Sequence, residues 1–319
     1  MPPEVSIVVP VYGCAQTLRA LHERITAATR VLPGTHELIL VDDCGPDDAW
    51  KVIEELASED PAVTGVRLSR NFGQHAAITA GLTQSTGAWV VVMDCDLQEP
   101  PELIPDLYAR AHEGYDIVFA RRHRKSESWS RALTSRVYYR ALNTFAGTSL
   151  DGAYGAFSIA SRKVIESVLR FRDRDRQYLL MLSWLGYRHT SVDYEHQPRA
   201  AGESSYDLRS LLRIATDGMF FQTTKLLRWI VMLGFAFAAL GGLLAVGFVI
   251  AKLTRTTYPG WTSLAFFMLT VGGFIIISTG ITGLYIGKVF EQVKGRPLFV
   301  IDEVAGAPLP TPSERTAVP

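Results

Sequence analysis

The sequence has no net charge, only three cysteines, no basic N-terminal segment ahead of an apolar run, and neither a GxGxxG nor a GxxxxGK[ST] loop. Each absence excludes something. Cys14, Cys44 and Cys95, spaced 30 and 51 apart, make neither a disulfide framework nor a zinc site, and are expected to be reduced thiols of a cytosolic compartment. The opening MPPEVSIVVPVY gives no expectation of a cleaved signal peptide. Pro10-Val11-Tyr12-Gly13-Cys14 stands where a dinucleotide or P-loop fingerprint would follow the first strand, which removes both of those readings.

The neutrality is a cancellation. Residues 1–119 hold 7 basic and 18 acidic side chains, 120–228 hold 19 and 10, and 229–319 hold 6 and 4, or −11, +9 and +2. Between 229 and 287 the only charges are Lys252 and Arg255. Such segregation excludes a disordered chain, a collagen-like chain and a uniformly basic nucleic-acid binder.

Short β-branched runs at Val5–Val11, Glu37–Val41, Gly65–Leu68, Ala88–Met93 and Asp116–Ala120 read as strands buried on both faces. Between them, Leu18, Leu21, Ile25 and Ala28 form one helical stripe, Ala49, Val52, Ile53 and Leu56 a second, and Ala77, Ile78, Gly81 and Leu82 a third; Pro100 and Pro101 suit the start of a fourth helix. This alternation predicts an α/β domain with a mostly parallel sheet, whose ligands bind beyond the carboxyl ends of the strands. The polar clusters Asp42-Asp43, Asp94 to Gln98 and Arg121-Arg122 fall at those ends.

Further on, Arg131, Arg136, Tyr138, Tyr139 and Arg140 form a basic aromatic helix, and 207–228 reads as a basic amphipathic helix, lying on a membrane surface or packed on the domain. Residues 229–251 and 263–287 are each long enough for a membrane span, the first about 34 Å as a helix against a hydrocarbon core of about 30 Å. A linker with Pro259 and Gly260 makes them a hairpin, and the excess of flanking Lys and Arg over Lys252 and Arg255 places the large domain and both termini in the cytoplasm. Gly283 and Gly287 form a GxxxG that lets the hairpin helices touch, and a homo-oligomer is left open. The expected organisation is a catalytic domain at 1–206, the amphipathic region, the two spans, a cytosolic segment at 288–301 and a disordered tail at 302–319. Leu298–Ile301 is β-prone, able to join its own sheet or a neighbour's.

The strongest local signal is Asp94-Cys95-Asp96-Leu97-Gln98. Two carboxylates two apart at a strand end, with the Gln98 amide oxygen, offer hard ligands to a divalent cation that also bridges phosphates. Asp-x-Asp is common in solvated loops too; its position after a buried strand and before Pro100-Pro101 favours the metal reading. Asp43 can accept hydrogen bonds from a nucleobase or ribose, while Asp47 is read as the N-cap of the helix through Leu56.

The order VVPVY (8–12), ILVDD (39–43), LSRNFGQHAAITAGL (68–82), VVVMDCDLQEPPE (90–102) and HQPRAAGESSY (196–206), ahead of the apolar hairpin, resembles the family 2 glycosyltransferases that charge polyprenyl phosphates with sugars, over residues 4 to about 301. The resemblance implies a GT-A fold, a nucleotide-sugar donor, Mg2+ or Mn2+, membrane lipid, and inverting transfer to an undecaprenyl-type phosphate at the inner membrane, with no nucleic-acid partner. It implies that Pro10, Tyr12, Asp43, Asp94 and Ser204 hold the donor and that Asp94, Asp96 and Gln98 hold metal and diphosphate. Asp96, Arg121, Arg131 and Arg199 would act in catalysis, the arginines by gripping phosphates with a planar fork. Arg131 is equally readable as a solvated or headgroup-facing charge.

Three departures stand out. Gly13 and Cys14 replace an Asn-Glu pair, Ser205 replaces a lysine, and Ala156 stands where many relatives have an acidic residue. A phosphate acceptor is already an anion and needs no base, so Ala156 points to substrate divergence. A processive polysaccharide synthase would show a QxxRW motif and more spans, and neither is present. A catalytically impaired membrane scaffold, or a different acceptor, is the alternative that Ala156 and Gly13 raise. The sugar is read by the loops around 72–75 and 152–158.

Overall fold

The computed structural model of the chain describes residues 2–123, 153–174, 176–195, 225–253 and 260–306. The β-branched runs become strands: β1 Val5–Val11, buried along its whole length, β2 His36–Asp42, β3 Val63–Leu68, β4 Trp89–Val92 and β5 Ile117–His123. Helices α1 Leu18–Thr29, α2 Ala49–Glu59, α3 Gln74–Gln84 and α4 Ile104–Ala111 separate them, α4 entered through a 3-10 turn at Pro101–Leu103. Then follow β6 Tyr154–Ser161, α5 Arg162–Leu169, α6 Tyr178–Trp184 and β7 His189–Glu195.

The strands form one sheet in the order β7-β5-β6-β4-β1-β2-β3-β8, with β8 at Ile301–Ala305. Strands β1 to β4 are mutually parallel and β7 is parallel to β5, whereas β6 runs antiparallel between β4 and β5. The chain leaves β1 toward β2 and β3, then returns to place β4 on the other side. The end of β1 is therefore the switch point where such sheets open a crevice.

Period-two alternation feeds two cores. Val5, Ile7 and Val9 of β1 face a cluster with Leu21 and Ile25 of α1, Ile53 of α2 and Leu107 of α4, while Val8 faces the opposite one with Ile78 of α3 and Ile165 of α5. Each such side chain fully buried contributes roughly 1.5–3 kcal/mol. A Cβ at Gly81 would lie 2.3 Å from Val8 Cγ1, so only glycine lets α3 lie this close to β1.

Strand β8 pairs antiparallel with β3, Gly65 opposite Ala305. Trp50 Nε1 donates to Glu303 Oε2 at 3.0 Å and ties it to α2. This corrects the expected disorder from 302 onward: Asp302–Ala305 are ordered because β3 offers an open edge, a partner more than 230 residues away in sequence. Residues 307–319 lie outside the described residues.

Two further helices, α7 Lys225–Leu253 and α8 Trp261–Val293, make up a second compact unit, while the chain from Arg296 belongs to the unit of the sheet. Phe237 of α7 packs on Phe274 of α8 with ring centroids 5.0 Å apart. Met232, Phe235 and Ile276 are each at least 70% exposed. Bare apolar surface of that kind marks contact with lipid or another protein. Among the described residues one segment, Thr270–Val293, is long and apolar enough by length and composition to cross a membrane, and none of its apolar window is buried. The expected amphipathic segment 207–228 lies outside the described residues except for its last four positions, which open α7.

Candidate active site at the carboxyl edge of the sheet

Strand β4 ends beside β1: the Met93 N–H donates to Val8 O at 3.2 Å, and the Asp43 N–H after β2 donates to Val11 O at 3.0 Å. Three loops therefore meet at the switch point, beginning at Tyr12, Asp43 and Asp94. Tyr12 is exposed and Pro10 is buried within β1.

Along the third loop Asp94, Asp96 and Gln98 are half-buried and alternate with buried Cys95, Leu97 and Glu99. Leu97 sits at φ 61°, a left-handed turn that the Asp96 side chain supports by accepting the Gln98 N–H at 3.1 Å. Asp94 Oδ1 accepts Gln74 Nε2 at 2.7 Å. Below them Glu99, 5% exposed, accepts the Asp94 N–H through Oε2 at 2.8 Å. Burial, and then the charge of Asp94, push the Glu99 carboxyl well above the usual carboxylate range.

Among the described residues no three His, Cys, Asp or Glu side chains group as a metal cluster. The Asp94 and Asp96 pair is a partial oxygen donor set. That set fits Mg2+ or Mn2+, which keep several waters and complete their shell with substrate phosphates, rather than an ion needing an all-protein cage.

Asp43 is 2% exposed and does local work: Oδ1 accepts the Phe72 N–H at 2.7 Å and Oδ2 the Gly73 N–H at 2.8 Å. Gly73, at φ 96°, turns the chain into α3 where other side chains would be strained. Burial raises the Asp43 carboxyl above its ordinary value, opposed by these two amides. Asp42 accepts the Gly45 N–H at 3.2 Å. Asp47 is not the N-cap expected: Asp48 occupies that position without a side-chain cap, and Asp47 Oδ2 accepts the Ala15 N–H at 2.8 Å, joining the loops after β2 and β1. The amide of Ala15 outcompetes the helix end because the β1 loop lies directly across from it.

Arg121 on β5 stands 3.9 Å from Asp193 of β7 through Nη1. Its neighbour Arg122 acts electrostatically on Glu99 and on Tyr194, whose hydroxyl burial pushes upward. Arg131, Arg199 and Ser204 lie outside the described residues.

The sequence model of Glycosyl transferase family 2 matches residues 6–169, just over half the chain, and its span begins in β1 and includes all three loops. The chain belongs to glycosyl transferase family 2. Its similarity to curated relatives runs nearly end to end. It is 36% identical to the undecaprenyl-phosphate 4-deoxy-4-formamido-L-arabinose transferase of Serratia proteamaculans, over 95% of this chain and 94% of that protein. With the protein of the same name from Proteus mirabilis the figures are 34%, 98% and 97%. The uncharacterized glycosyltransferase YkcC of Bacillus subtilis is 32% identical over 95% and 94%. Among solved structures, the glucosyl-3-phosphoglycerate synthase of Mycobacterium tuberculosis, in complex with Mn2+, UDP-glucose and phosphoglyceric acid, is 18% identical over 69% of this chain and 78% of that one, with a TM-score of 0.49.

In this glycosyltransferase the cysteines overturn the expectation of three reduced thiols. Cys14 and Cys95 are joined by a disulfide and Cys44 alone is free and exposed. Spacing in sequence reveals only local frameworks, whereas this pair is 81 residues apart and meets through the adjacency of β1 and β4. Glu99, Gln74 and Arg122 received no role from sequence reasoning either. For Glu99 a signal existed: carrying the strand's alternation on through Asp94, Asp96 and Gln98 puts Cys95, Leu97 and Glu99 on the inward side.

Proposed function

We propose that this glycosyltransferase moves a sugar from a nucleotide-sugar donor, of the UDP type, to a polyprenyl phosphate of the undecaprenyl type, with inversion, giving a membrane-bound sugar carrier. The observation that carries the acceptor is the length of the match. Relatives named for undecaprenyl-phosphate transfer align over 95% and 98% of this chain, so the alignment extends through the apolar helices and is not confined to the catalytic domain.

In this reading the donor lies at the switch point, with its base beside Pro10, Tyr12 and Asp43 and its diphosphate beside Asp94, Asp96 and Gln98. Asp43 shapes the 72–73 turn through the two amides that it accepts. A divalent cation held by Asp94 and Asp96 would neutralise the departing diphosphate. A phosphate oxygen of the lipid forms the new bond to the anomeric carbon as the bond to the donor diphosphate breaks. No general base is required, which accommodates Ala156. Arg121, with Arg131, Arg199 and Ser204, holds the phosphates against like-charge repulsion, so positioning and charge neutralisation provide most of the catalysis. Helices α7 and α8 form the two-span hairpin that fixes the domain on the cytoplasmic face of the inner membrane.

The test is the purified full chain in detergent with Mn2+ or Mg2+, a panel of nucleotide sugars and a fluorescent polyprenyl phosphate. Transfer from one donor, abolished by chelation and reduced at least a hundredfold in Asp96→Ala, supports the reading. Undiminished Asp96→Ala activity removes the metal role, and donor binding without turnover across the panel favours a scaffold.

A further inference from the structure

All three cysteines lie on loops of the candidate site. Cys14 follows Tyr12 and Gly13, Cys44 follows Asp43, and Cys95 stands between Asp94 and Asp96. The Cys14–Cys95 bond spans a Cα–Cα distance of 6.2 Å, within the range a disulfide bridges without backbone movement. It links two loops and no pair of core elements. A domain with two extended hydrophobic clusters does not need a covalent staple, in contrast to small secreted domains.

The two cysteines are also held together without the bond. The Thr17 N–H donates to Cys14 O at 3.0 Å and the buried Thr17 hydroxyl donates to Cys95 O at 2.8 Å. One residue thus anchors both backbones, and reduction leaves the sulfurs adjacent and ready to close again. Access is asymmetric, since Cys14 is half-buried and Cys95 is 6% exposed.

We propose that Cys14 and Cys95 form a reversible thiol modification site, oxidised by low-molecular-weight disulfides, whose closure weakens binding of metal and donor nucleotide at the Asp94–Asp96 loop. The Cys14 thiol attacks an external disulfide, forming a mixed disulfide and releasing one thiol with its proton. The Cys95 thiol then attacks the Cys14 sulfur, closing the internal bond and releasing the second thiol. Two protein thiols are oxidised and one external disulfide is reduced. Closure adds a covalent tie between the residue flanked by the two carboxylates and the β1–α1 loop, where the reduced form keeps only the Thr17 hydrogen bonds, which can yield. Metal binding asks both carboxylates to adjust to near-octahedral geometry, and the pinned loop resists that adjustment. The first half stands on the cysteine geometry alone; the second rests on reading Asp94 and Asp96 as the donor and metal site.

The experiment takes the full chain in detergent, equilibrates it in glutathione buffers from fully reduced to fully oxidised, and counts thiols by maleimide trapping and intact mass after denaturation. Three labels are expected when reduced; when oxidised, Cys14 and Cys95 carry neither label nor glutathione, while the exposed Cys44 carries one or the other, told apart by intact mass. Cys14→Ser, with Cys14→Ala as a second variant, should show no internal bond under either condition. Mn2+ affinity in the presence of UDP, read by electron paramagnetic resonance, should be about fivefold or more weaker in the oxidised form, recover with dithiothreitol, and lose its dependence on redox state in the variants. Label or glutathione on both Cys14 and Cys95 under full oxidation, or a bond that dithiothreitol leaves intact in the folded protein, overturns the reversible site. Mn2+ affinities within about twofold of each other overturn the regulatory effect. Mn2+ binding to neither form refutes the metal reading and the regulatory effect with it, while the thiol count still decides whether the couple exists.

Discussion

Gln74 reaches from the first position of α3 to hold Asp94 at the end of β4, its Nε2 2.7 Å from Oδ1. Partners that orient a metal-binding carboxylate typically change affinity by roughly 10–100-fold when removed. With Asp94 as a metal ligand in the proposed function, Gln74→Ala is expected to raise the Mn2+ concentration for half-maximal transfer by about tenfold, with little change in melting temperature. An unchanged metal titration would leave Gln74 without a role in orienting Asp94.

Glu99 acts from beneath the same loop. Glu99→Ala takes away the acceptor of the part-buried Asp94 N–H, and an orphaned donor costs up to about 1–3 kcal/mol when buried. Glu99→Gln keeps an oxygen in place and should lose clearly less. Chemical denaturation of the two variants beside the wild type checks this, and equal losses would mean that the hydrogen bond is not what Glu99 contributes.

Asp43 holds two amides at once, so Asp43→Ala should destabilise the domain by about 3 kcal/mol and Asp43→Asn, with one carbonyl oxygen for two donors, by roughly half of that. Amide hydrogen exchange at Phe72 and Gly73 should accelerate in both variants. Protection there equal to wild type would disprove the anchoring.

Arg24 grips Glu102 with Nε and Nη2 at 2.8 and 2.7 Å, fastening α1 to the turn that follows the Asp94 loop. The Arg24 hydrogen bond lowers the Glu102 carboxyl below its ordinary value. A depressed carboxyl contributes stability that is present above its unfolded-state value and disappears as pH falls through the folded-state value. Melting temperatures of wild type and Glu102→Gln should therefore differ at neutral pH and converge below about pH 4. The pair is partly exposed and the difference small.

Much of the N-terminal half was legible because burial leaves a periodic trace. The run Val5–Val11 is strand β1 residue for residue, and Leu18, Leu21, Ile25 and Ala28 are the apolar residues that α1 buries. What local pattern does not encode is the partner. Nothing in Tyr154–Ser161 says that it inserts antiparallel between β4 and β5. Nothing near Asp47 says that its carboxylate prefers the Ala15 amide to the start of α2. The same holds for Cys14 and Cys95: their meeting follows from strand order, which is decided by the whole sheet. Residue types and strand-end position suffice to single out Asp94–Gln98 as a candidate cluster, whereas its supports Gln74 and Glu99 required distances.

Strand β8 gives the catalytic sheet an unusual timetable. Among the described residues seven of its strands are complete by Glu195, but the eighth begins at Ile301, after both long helices have been synthesised. Chains are made and fold from the N-terminus, so β3 waits with an open edge, and Trp50 without its Glu303 partner, while α7 and α8 emerge. A chain truncated after Glu195 keeps that edge permanently and should aggregate, even though every loop of the switch point is present. Completion of the sheet thus becomes a late checkpoint, met only by nascent chains that have already delivered their apolar helices.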